Sequence, residues 1–171
     1  FDLGASPEEE ATFLHKLNGF EIGIVRTPTY IGYISSDTEG GESSSIIMEE
    51  LNAFSLVHAL KDAFDIELPK DFDVEATFAA LENYLVALHE EKKIAHGDIA
   101  ARNIMIDRED GRPYIIDFGR AVDFSDGGFS PRINESNPKK DLEDLDKTEV
   151  DVRKHLEKKL TESNINVTIP S

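Results

Sequence analysis

Apolar residues in this chain recur at two spacings, one helical and one alternating or continuous over a few residues. Phe13, Leu14 and Leu17 follow Ser6-Pro7-Glu8-Glu9-Glu10 at helical spacing. The serine can cap that helix, the proline suits its first turn, and the acids favour its amino-terminal dipole. Asn18-Gly19 ends it. Gly23–Val25 and Tyr30–Ile34 are apolar and partly β-branched, which predicts strands. Asp37–Ser45 reads as a polar, glycine-containing turn, after which Ile46-Ile47-Met48 resumes a strand and Glu49–Phe54 leaves it. Ser55–Phe64 predicts a short helix. The longest helical pattern is Asp73–Glu91, with Phe78, Leu81, Tyr84, Leu85 and Leu88 on one face.

Ile104-Met105-Ile106 and Tyr114-Ile115-Ile116 predict a hairpin whose turn is Arg108–Arg112, tightest at Asp110-Gly111. Gly127–Lys140 is rich in Gly, Pro, Ser and Asn and reads as a loop. Asp141–Leu160 resumes helix, with Leu142, Leu145, Val152, Leu156 and Leu160 as its candidate buried face, and a polar, frayed tail is expected after Thr161. The order is helix, strands, helices, hairpin, helix. That is an α+β pattern, without the regular alternation of a doubly wound sheet.

Composition narrows the function classes. The chain has 171 residues, 35 acidic and 18 basic, for a net charge of −17. This argues against nucleic-acid binding, which requires lysine and arginine to neutralise phosphates, and against docking on anionic membrane. An acidic surface favours a basic peptide, a protein partner or a cationic small molecule, and serves solubility in any case. No cysteine is present, so disulfides and thiolate chemistry are excluded, and a reducing, cytoplasmic compartment is the default expectation. No apolar run approaches the about 18 residues a membrane helix needs. The chain opens on Phe1 rather than methionine, as expected of a fragment or a processed product.

The densest chemistry lies in His96–Gly119, HGDIAARNIMIDREDGRPYIIDFG. Asp98 follows His96 by two residues, with Gly97 between them permitting unusual backbone geometry. Asp98 is the candidate base that receives or orients a hydroxyl. Asn103 offers a neutral oxygen suited to magnesium, and Asp117, at the end of the returning strand, can bridge the ion to phosphate oxygens. Phosphoryl transfer needs mainly alignment and charge neutralisation, which such a set supplies. Arg102 would neutralise transferred phosphate, fix Asp98 or form a surface ion pair. Ser125, Ser130 and Ser136 read as turn hydroxyls. His15, His58, His89 and His155 read as surface or helix residues, with no zinc set among them.

His96–Asn103 and Asp117–Gly119 resemble the catalytic loop and metal-binding triplet of the protein-kinase-like superfamily. His-Gly-Asp is similar to the aminoglycoside phosphotransferases and other small-molecule or atypical kinases, and Ala100-Ala101-Arg102-Asn103 to the tyrosine-kinase loop. The resemblance implies a kinase-like fold, with an incomplete small lobe over residues 1–51 and a minimal, mostly helical large lobe over 52–171. It implies ATP and Mg2+ as cofactors and a hydroxyl on a protein or small molecule as acceptor. Glu10 would pair with an ATP-positioning lysine, with Glu8 or Glu9 replacing it in another register; a plain acidic helix start looks the same. Met48 would be the gatekeeper beside the adenine, or simple core filler. Glu49 and Leu51 would offer backbone groups to the adenine. Departures are as clear. No Gly-x-Gly-x-x-Gly loop is present, no strand lysine precedes Glu10, and no Ala-Pro-Glu element follows Gly119. The resemblance therefore implies an atypical kinase whose first strands lie upstream, or a pseudokinase that serves as a binding module.

Overall fold

The computed structural model describes residues 6–61, 66–127 and 133–168. It is a mixed α+β fold. Helix α1 (Pro7–Lys16) starts where its cap predicts, with the Ser6 hydroxyl accepting from the Glu9 N–H at 3.2 Å. Its Phe13 and Leu14, and Leu17 just beyond, are buried. Gly19 follows at φ +79°, a left-handed geometry that glycine adopts without penalty.

The strands predicted at Gly23–Val25 are arranged differently. Glu21–Ile22 (β1) and Val25–Arg26 (β2) pair antiparallel around a two-residue turn, and Gly23 lies in that turn at φ +58°. Asp37–Ser45 is likewise more ordered than a turn. Tyr30–Thr38 (β3) and Gly41–Met48 (β4) pair through Thr38 and Gly41, which leaves only residues 39 and 40 at the tip. Ladder hydrogen bonds satisfy this backbone whatever its side chains, and most of those side chains are exposed, so the segment needs no apolar alternation.

Ala53–Ser55 (β5) leads into a single helical turn, Leu56–Ala59 (α2), shorter than the helix expected to Phe64; residues 62–65 lie outside the described set. Helix α3 (Val74–Glu91) is capped by Asp73, whose carboxylate accepts from the Ala76 N–H at 3.0 Å. The chain leaves it through Lys93 in the left-handed region. All five residues of its predicted stripe are buried. Ile94–Ala95 (β6) pairs with Val122–Asp123 (β9). Ile104–Asp107 (β7) and Pro113–Ile115 (β8) form the expected hairpin, with Gly111 at φ +72° in its turn.

The main sheet runs β1-β2-β8-β7-β5, with β2 parallel to β8. Strands from before residue 51 therefore share a sheet with the β7–β8 hairpin. Arg26 reinforces the junction, lying 4.4 Å over the Tyr114 ring and reaching Asp110 at 3.3 Å. Helix α3 packs against this sheet and against α4 (Pro138–Thr168). Helix α4 is longer than Asp141–Leu160 at both ends. Asn137 caps its start by accepting from the Lys140 N–H at 3.0 Å, ahead of a proline in the first turn. Its backbone stays helical to Thr168, past the Thr161 after which a frayed tail is expected, and the i,i+4 pair Lys158–Glu162 spans that point. Leu145 and Val152 are buried as expected, but Leu160 is 64% exposed. At 1.5 Å per residue, α4 runs about 20 Å longer than α3, so α3 cannot cover its distal turns.

Tyr84 crosses the core from α3, and its hydroxyl lies 2.6 Å from the Thr27 hydroxyl, both buried. Burial drives the Tyr84 phenol well above its usual range, opposed only in part by that hydrogen bond. Tyr84→Phe leaves the Thr27 hydroxyl without this partner and is expected to cost about 1–2 kcal/mol in urea unfolding, with the fold retained by circular dichroism.

Candidate functional site

The segment from His96 to Asn103 is held by a residue that no sequence pattern singles out. Asp141, in the first turn of α4, is fully buried. Its carboxylate accepts from the backbone N–H groups of His96 and Gly97, each at 2.8 Å, and from His89 Nε2 at 2.8 Å. His89, expected only as a surface or helix residue, is therefore a buried residue of α3 that orients this carboxylate. A buried carboxylate is tolerable when its oxygens are met by donors, and here three meet it.

Gly97 has φ +83°, and a Cβ there would lie 2.3 Å from the Ser136 hydroxyl and 2.4 Å from the Arg120 carbonyl oxygen. Glycine is required twice over, by conformation and by space. Ser136 is accordingly a buried wall of this loop, a closer role than the turn hydroxyl expected of it. The His96 ring is also fully buried. Its Nδ1 accepts from the Asp98 N–H at 3.1 Å, so its Nε2 carries the hydrogen and donates to the Ile116 carbonyl at 2.8 Å. Its ring meets Phe118 edge-on, with centroids 4.8 Å apart.

These contacts gather the sequence candidates. Asn103 Nδ2 donates to the Asp98 carbonyl at 2.8 Å and to its carboxylate at 3.0 Å. The other Asp98 oxygen pairs with Arg102. Each carboxylate oxygen thus keeps a lone pair for a further donor. With its amide nitrogen committed, Asn103 presents Oδ1 as its remaining side-chain group. The Asn103 carbonyl accepts from the Ile116 N–H at 3.0 Å, so Asp117 is placed one residue past a direct tie to Asn103. Asp117 is exposed and sits at φ +61°, a conformation uncommon outside glycine. Its carboxylate accepts from the Gly119 N–H at 3.1 Å.

Glu10 faces the same place from α1. A Cβ at Gly119 would lie 3.0 Å from an Asp117 oxygen and 3.8 Å from a Glu10 oxygen. Burial first, and the Asp117 charge second, push the Glu10 carboxyl above its usual range. Lys16 of the same helix is committed elsewhere, to Asp123 at 2.6 Å. Burial alone would raise the Asp123 carboxyl, but the bonds from Lys16 and Ser125 outweigh it and hold the group below its usual range. No lysine or arginine pairs with Glu10 among the described residues. Nor does any group of three or more His, Cys, Asp or Glu form a ready cation cage among them.

Met48 and Glu49 lie at the far end of β4. Met48 is 40% exposed and so is not core filler. The Glu49 N–H already donates to the Thr29 carbonyl at 3.0 Å, and its side chain accepts from the Thr29 N–H at 2.7 Å. Leu51 is half-buried.

A loop–hairpin unit with a fixed Asp-Asn pair at its base and an acid at its exit is the part of the chain that a known family shares. Residues 48–123 match the phosphotransferase enzyme family (APH). A phosphotransferase-family domain thus spans part of the chain, a little under half of it, from the end of β4 through β9. Glu10 and Asp141 lie outside the matched span. No curated protein matches the chain. Among the described residues, no helix is long and apolar enough to cross a membrane.

Two outcomes follow from this geometry. Asp141→Ala strands two buried N–H groups and His89, and is expected to cost about 3–5 kcal/mol in urea unfolding, with faster amide exchange at His96 and Gly97. Asp141→Asn, which keeps one acceptor oxygen, should lose less. Glu10 binds its proton more tightly folded than unfolded, so its contribution is favourable below the ordinary carboxylate range and is lost as pH rises through the raised value. Glu10→Gln is therefore expected to raise Tm by about 1–3 °C at pH 7 and to lose that gain near pH 4 in thermal melts.

Proposed function

We propose that this protein is an ATP- and Mg2+-dependent phosphotransferase of atypical kinase type, acting on a hydroxyl group of a small molecule or protein. The observation that carries this reading is the Asp98–Asn103 contact tied through Ile116 to Asp117, within the span matched by the phosphotransferase family.

The donor set fits magnesium. That ion takes oxygen ligands, and binds through one or two protein groups with phosphates and water completing its shell. The Asn103 amide oxygen and the Asp117 carboxylate are two such groups. Glu10 adds a second negative charge beside Asp117 without a cationic partner among the described residues, so the site is short of positive charge. Bound there, the ion would neutralise charge on the transferring phosphate.

Asp98 acts on the acceptor. As the acceptor oxygen bonds to the γ-phosphorus and the bond to the ADP oxygen breaks, the hydroxyl proton passes to the Asp98 carboxylate. Arg102 and Asn103 each hold one of its oxygens, fixing the carboxylate before the acceptor arrives, which is where positioning lowers a barrier. Met48, Glu49 and Leu51 would border the adenine; with the Glu49 N–H engaged by Thr29, its carbonyl is the group left to bind there.

One observation favours a second reading, a kinase-like binding module without turnover: Glu10 has no lysine or arginine partner among the described residues. Both readings are decided by Mg2+-dependent ATP binding and γ-phosphate transfer by the full-length protein. Turnover is expected, falling at least about 100-fold in Asp98→Asn and in Asp117→Ala. Nucleotide binding without turnover supports the binding module, absence of both sinks the phosphotransferase reading, and turnover that survives both substitutions overturns the residue roles.

A further inference from the structure

A cavity of about 360 Å3 opens beside Asp98, lined by Gly97, Asp98, Arg102, Arg120, Glu135, Ser136 and Lys140. Its volume is that of a small-molecule site. It touches the catalytic loop at Asp98 and Gly97, and is closed on the other side by Ser136 and the first turn of α4. A larger cavity of about 400 Å3, between Leu68, Phe72 and the distal part of α4, touches none of Asp98, Asn103 or Asp117.

The charge of the first cavity runs against that of the chain. Acids outnumber bases 35 to 18 overall, yet three of the five charged residues in this lining are cations. Those cations are not equally spent. Arg102 is paired with Asp98. Lys140 reaches Asp144 at 2.6 Å, but Lys147 approaches the same carboxylate at 3.8 Å, so two lysines share one charge. Arg120 is exposed and has no ion pair among the described residues. Besides Asp98, the only acid in the lining is Glu135, exposed on the rim.

We infer that the acceptor is a small hydroxyl compound bearing an oxyanion, a phosphate or a carboxylate, gripped by Arg120 and Lys140 with its hydroxyl toward Asp98. The inference rests on the phosphotransferase reading for what happens to that hydroxyl, but not for the binding itself. The net charge of −17 favours cationic partners at long range. Within a cavity the nearest groups dominate, because charge–charge energy falls with distance and distant charges are screened. A guanidinium also offers paired donors that match the oxygens of phosphate or carboxylate.

The test is titration of the full-length protein, without nucleotide, with four probes of similar size: glycerol 3-phosphate, glycerate, glycerol and choline. Amide NMR shifts at Gly97 and Ser136 report binding. Saturable binding of glycerol 3-phosphate or glycerate is expected, with the tighter of the two identifying phosphate or carboxylate as the preferred group. Glycerol and choline should not saturate the site. Arg120→Gln and Lys140→Gln should each weaken the anion about fivefold to tenfold, and Glu135→Gln should strengthen it. Choline saturating these amides, neither anion doing so, or anion binding unmoved in both the Arg120 and Lys140 variants would overturn the inference. Anion binding without phosphate transfer from ATP would leave the acceptor site standing and remove the phosphotransferase reading instead.

Discussion

The Asp141 carboxylate is the interaction on which the site depends. It is a charge with no solvent, and its burial is sustained only because His89, His96 and Gly97 all donate to it. Each donor in turn has its position fixed. The His96 N–H can reach the carboxylate only while β6 runs beside β9, and the Gly97 N–H only while its φ is positive. Once those backbone groups are set, the His96 ring has one place to lie, between the Asp98 N–H and the Ile116 carbonyl. A single carboxylate on the last helix thereby fixes the loop that holds Asp98 and steadies the strand end that leads to Asp117.

Positive charge is distributed unevenly around that frame. On the Glu10 side, two carboxylates approach Gly119 and the nearest lysine of α1 is turned to Asp123. On the Ser136 side, arginine and lysine gather around a small cavity. Asp98 stands between a region deficient in cations and one supplied with them. Electrostatically, these are contrasting halves: on the proposed reading, the first would take a cation-bridged polyphosphate and the second a small anion.

Much of this was legible in the sequence where the signal is short-range. The Asp98–Asn103 pair sits five residues apart in one loop, so spacing alone put the two together. The stripe of α3 and the cap of α1 are local patterns of the same kind. Asp141 was not legible, because it is one of several acids in an amphipathic helix and nothing nearby marks it as the buried one. Its role is decided by His89 and Gly97, more than forty residues away. Ser136 and Arg120 were hidden for the same reason, since only folding brings them against Gly97. The distal part of the β3–β4 hairpin, read as a turn, was hidden by its polarity: a ladder that stands largely exposed needs no apolar code. Leu160 misled in the opposite sense, fitting the stripe of a helix that outruns its neighbour.

The parallel pairing of β2 with β8 has a consequence for the order of assembly. Arg26 meets Tyr114 across nearly ninety residues of intervening chain, and the loop at Gly97 waits for Asp141. Contacts so distant in sequence must close large loops before they return any free energy, which delays them relative to local helices. On a ribosome, which delivers the amino-terminal part first, β1 and β2 emerge before β5, β7 and β8, the strands that complete their sheet. The region around Asp98 therefore becomes ordered only when α4 has been made, and an early-released or carboxy-terminally shortened chain carries every residue of the His96–Gly119 motif without the geometry that gives it meaning.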